Sequence, residues 1–127
     1  PEFRDTLVVE KGAITSPFPL LVHEVRSDAW QRWSAQAGIR LPRRARVTRL
    51  DSMIAVVRAA EKGMGAALVP LPLSDGWFRS GALVPLFDEE LAISDGYYLV
   101  CDPRVAETEG VRDLRTWALE AFAESET

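Results

Sequence analysis

The chain has 127 residues, 15 Lys and Arg against 19 Asp and Glu for a net charge of -4, and 47% hydrophobic with 27% charged positions. That composition fits one globular domain large enough to bury a core, and the acidic balance argues against this segment gripping phosphate backbones by charge alone. One cysteine, Cys101, excludes an internal disulfide and a cysteine-built zinc site and fits a reducing compartment.

In chain order, residues 1–17 open with "PEFRDTLVVEKG", which lacks the basic-then-apolar order of a signal peptide. No apolar run anywhere reaches the roughly 18 residues of a membrane span, so the expected location is cytoplasmic, away from membranes. "FPLLVHE" reads as a strand, and "DAWQRWSAQAG" as a helix with Ala29, Trp30, Trp33 and Ala37 at helical spacing. Asp28 or Ser27 is placed to cap that helix and Gly38 to stop it. Its two Trp are expected to seal it to the sheet, although Trp30 also suits an aromatic wall beside a ligand.

"RARVTRL" follows as a strand preceded by the basic loop Arg40, Arg43 and Arg44. Alternation puts Ala45, Val47 and Arg49 on one face and Arg44, Arg46, Thr48 and Leu50 on the other, so the arginines form no single stripe. They serve either as solvated guards of a sheet edge or as a contact for an anion or acidic partner.

"DSMIAVVRAAEKG" is a helix whose Met53, Ile54, Val56, Val57, Ala59 and Ala60 cover most of its circumference, which predicts a sandwiched position. Because Leu50 ends a strand, the helix begins at the carboxyl edge of the sheet, where open α/β folds hold small ligands. Asp51 and Ser52 are then either caps alone or part of a site for a carboxylate or other anion. Gly63 and Gly65 close the helix rather than open one, and Leu68 stands where a dinucleotide fingerprint needs its third glycine, so nucleotide binding is not expected there.

"AALVP", "GALVPLF" and "GYYLVC" read as further β runs, with "PLPLSDG" as a loop and "DEE" at Asp88–Glu90 as a solvated turn. The last helix, "GVRDLRTWALEAFAES", gathers Val111, Leu114, Trp117, Ala118, Ala121 and Phe122 on one apolar face that needs a partner. The alternation of strands and helices makes this an α/β fold.

Catalytic and metal signatures are missing. There is no Gly-x-Ser-x-Gly elbow, the one histidine has no sequence-level partner, and Cys101 ends an apolar run where a buried, inert thiol is expected. With one histidine and no carboxylate cluster, no metal, no cofactor and no enzyme activity are expected.

In that order, "HEVRSDAWQRWSAQAGI", "RLDSMIAVVRAAEKGMGAALVPLPL", "FRSGALVPLF", "GYYLVCDP" and "VRDLRTWALEAFAE" resemble the effector-binding region of LysR-type transcriptional regulators, in the branch that includes the glycine-cleavage regulators. The resemblance implies a fold like a type 2 periplasmic binding protein, in which two α/β lobes hold a small molecule between them. Residues 18–100 then correspond to the second lobe, with a mixed, mostly parallel sheet and flanking helices. Residues 101–127 form a return segment and helix that packs on the first lobe, and residues 1–17 match poorly. DNA binding would belong to an N-terminal helix-turn-helix outside this chain, and homo-oligomers are implied.

The resemblance further implies an effector wall made by His23 and Glu24, by Asp51 and Ser52, and by the crossover near Pro70 or Tyr97. His23 is otherwise a loop or core histidine with satisfied partners, and either Tyr97 or Tyr98 faces the cleft. The implied function is sensing of a small anionic or amino-acid-like effector. The alternatives are a fragment of a solute-binding protein and a self-associating half-domain.

Overall fold

Leu20–His23 (β3) is the centre of a three-stranded parallel sheet, flanked by Val47–Leu50 (β4) on one side and Ala66–Ala67 (β5) on the other. In this computed structural model residues 4–94, 96 and 98–123 are described, and the chain divides into two units, 1–92 and 93–127. Parallel strands demand cover on both faces. In the first unit that cover comes from Ala29–Ala37 (α1) and Met53–Glu61 (α2).

Strand alternation divides the core accordingly. Leu20 and Val22 join Phe18, Trp30 and Trp33 in one buried cluster, whereas Leu21 joins Val56, Val57, Ala59 and Ala60 in the other. The sealing by the Trp pair is observed, whereas α2 is covered only at Val56, Val57, Ala59 and Ala60, with Ile54 exposed. Trp30 stands edge-on to Phe18 and Trp33, with ring centroids 5.7 and 5.5 Å away, and its Nε1–H donates to the Leu21 carbonyl at 3.1 Å. Both Trp are core residues, and Trp30 presents no wall to a ligand.

The loop between α2 and β5 explains its glycines. Gly63 has φ 75°, and a Cβ on Gly65 would stand 2.7 Å from the Pro19 carbonyl oxygen, the acceptor of the Ala66 N–H. Val9–Glu10 (β1) and Ala13–Ile14 (β2) form an antiparallel hairpin that the sequence pattern did not announce. Lys11 and Gly12 both take positive φ in its turn, and the Arg40 backbone docks it, donating to Gly12 and accepting from Ile14.

Several expectations need correction. "GALVPLF" is not a strand: Pro85 cannot donate to a ladder, and the segment instead runs irregularly, with Leu83 buried and Phe87 5.0 Å from the Trp33 ring. The preceding loop contains a short helix, Asp75–Arg79 (α3), whose Trp77 carbonyl accepts the Leu83 N–H. Ser52 and Asp28 do occupy N-cap positions, but neither side chain makes a capping hydrogen bond.

The second unit contains Glu109–Ala123 (α4) after a turn in which Asp102 accepts from the Arg104 backbone and guanidinium. That guanidinium holds the Asp102 carboxyl below the ordinary aspartate range. "GYYLVC" also needs correction: Tyr98–Cys101 form no strand and are exposed, while Tyr97 lies outside the described residues. Without a ladder to enclose it, Cys101 is an exposed thiol rather than a buried one. No residue of α4 is buried, and Trp117 is 62% exposed.

Candidate functional site

The parallel register gathers residues that lie far apart in the chain. Leu21 is paired with Thr48 on one side and with Ala67 on the other. Counting three residues onward from each gives Glu24, Asp51 and Pro70, so three neighbouring chain segments bring these residues out at the same, carboxyl end of the sheet. His23, paired with Leu50, stands at the last rung, and α2 begins just beyond Ser52.

The chemistry at this edge is open. His23 is half-buried, and its Nδ1 is enclosed without a hydrogen-bond partner. An enclosed polar atom left unpaired costs about 1–3 kcal/mol, a cost that a donor or acceptor arriving from outside would remove. Ser52 holds the N-cap position in extended geometry, and its side chain makes no capping hydrogen bond to the first-turn amides of α2. Glu24 and Asp51 are exposed, and neither has an ion-pair partner among the described residues. Pro70 is half-buried, and its carbonyl accepts the Ser74 N–H at 3.1 Å. Five of the six expected residues therefore converge. Tyr97, the sixth, lies outside the described residues, and no group of His, Cys, Asp and Glu among the described residues is arranged to hold a metal ion.

A second feature escaped the sequence reading. In the described sheet β4 is an edge strand, and α1 leaves its near face uncovered. The result is an open groove of about 470 Å³ between α1 and β4, lined by Leu20, Ala35, Leu41, Pro42, Ala45 and Val47 and by the polar Gln31, Ser34 and Arg43. Val47 is 46% exposed there. The Arg-rich segment is thus split: Arg40 donates to the Lys11 carbonyl, Arg43 meets the groove, and Arg46 and Arg49 are exposed on or beside the edge strand. Local periodicity gives a strand and a helix but not the gap between them.

These features can be compared with known proteins. The family model described as the LysR substrate binding domain matches residues 16–123. The chain belongs to that family. Among its relatives, the HTH-type transcriptional activator AmpR of Pseudomonas aeruginosa is 32% identical over 115 residues, covering 85% of this chain and 38% of AmpR. The glycine cleavage system transcriptional activator of Escherichia coli is 29% identical over 107 residues, covering 84% of this chain and 35% of that protein.

The solved effector domain of Pseudomonas aeruginosa AmpR superposes with a TM-score of 0.65 at 23% identity, over 99% of this chain and 60% of that one. The LysR-family chain thus has the α/β, periplasmic-binding-protein-like fold of such domains and spans little more than a third of the length of the curated relatives. Its kinship is with regulatory proteins rather than enzymes. No helix among the described residues is long and apolar enough to cross a membrane.

Proposed function

We propose that this chain is the effector-sensing module of a bacterial LysR-type transcription regulator, working in the cytoplasm. A small anionic or amino-acid-like molecule binds at the carboxyl edge of β3, β4 and β5, against the first lobe. By stabilising one lobe arrangement over another, it changes the geometry of an oligomer that binds DNA through an N-terminal helix-turn-helix. Domain 18–100 supplies one wall of the cleft, and the segment 101–127 returns to the first lobe. His23, Glu24, Asp51, Ser52 and Pro70 form this wall; Tyr97, the sixth residue expected there, lies outside the described residues.

The observation that carries the reading is the enclosed, unpaired Nδ1 of His23, at the last rung of the central strand beside the α2 N-cap. An anion suits the helix end, whereas Glu24 and Asp51 suit an ammonium group, which together favour a zwitterion. The test is calorimetric titration of amino acids and small carboxylates into a protein containing both lobes. A hydrogen bond to a charged group is worth about 1.5–3 kcal/mol, so His23→Ala and Ser52→Ala should each weaken a measured affinity about ten-fold or more. Unchanged affinity in both variants would remove these residues from the site.

A second reading, compatible with the first, concerns self-association. The mostly apolar groove beside an open strand edge is the kind of surface a second copy covers, because edge strands left unpaired invite pairing. Sedimentation velocity should show that Val47→Lys shifts the protein toward monomer. An unaltered sedimentation profile would place the contact elsewhere.

A further inference from the structure

We draw no further inference here: the strongest candidate, the open, mostly apolar groove between α1 and the edge strand β4, is the surface already assigned to self-association above, and nothing in the structure shows a ligand or a different partner that would occupy it.

Discussion

Helices α2 and α4 both carry apolar residues at helical spacing, yet α2 buries Val56, Val57, Ala59 and Ala60 while α4 buries none of its residues. The difference lies in what each unit offers. In residues 1–92, α2 is covered by Leu21 of β3 and by Leu83, with Trp77 and Phe78 packed alongside. In residues 93–127 no second helix or strand is present among the described residues to cover α4. Periodicity shows that a helix has a face to hide. It does not say which part of the molecule hides it.

The largest expected effect sharpens this contrast from the buried side. Trp33 is 2% exposed, touches Trp30 and Phe87, and donates to the Glu89 carbonyl at 2.9 Å. Trp33→Ala removes a core aromatic and its anchor to the irregular 83–91 segment. It should cost about 3–5 kcal/mol in urea unfolding. A loss below about 1 kcal/mol would mean that this cluster does not hold the first unit together.

A smaller effect is expected where backbone approaches backbone. Gly65→Ala pushes a methyl to 2.7 Å from the Pro19 carbonyl oxygen, and a backbone acceptor cannot swing away as a side chain would. Relief must come from separating β5 from the chain that enters β3, at about 1–3 kcal/mol. A variant as stable as the parent would show that the two strands have room to part.

The sequence made the three long helices and the three sheet strands legible, because each declares itself locally: a spacing of 3.6 for α1, α2 and α4, short apolar runs for β3 and β5, and two-residue alternation for β4. It also placed Asp51 and Ser52 at the carboxyl edge of the sheet, since a strand end followed at once by a helix start fixes that edge. What it missed depends on partners distant in the chain. "GALVPLF" and "GYYLVC" have strand-like composition, but a ladder is made by two segments, and Pro85 breaks one side of it. Cys101 followed "GYYLVC" into the wrong environment for the same reason. The hairpin at β1 and β2 has only two residues per strand, too short for alternation to register, and its Lys11 accepts a positive φ that sequence statistics assign to other residues. At the site, the orphaned His23 Nδ1 is legible only in three dimensions, because enclosure without a partner is a property of everything packed around the ring.

The smallest expected effect probes the other side of the comparison. Leu114 and Trp117 of α4 are 49% and 62% exposed, so replacing Trp117 with Ser removes little packing within its own unit. In the 127-residue chain the change should alter stability by less than about 0.5 kcal/mol, as exposed positions do. In a protein that includes the lobe to which α4 is proposed to return, the same substitution strips an aromatic from an interface and should cost about 3–5 kcal/mol. Parallel unfolding measurements on the two lengths therefore separate two causes of an apolar helix face. A cost that appears only in the longer protein identifies the face as the seat of the first lobe. Equal small costs would instead make the stripe of α4 an ordinary solvent-facing surface, where Leu114 and Trp117 are tolerated because scattered apolar side chains on a helix need no cover.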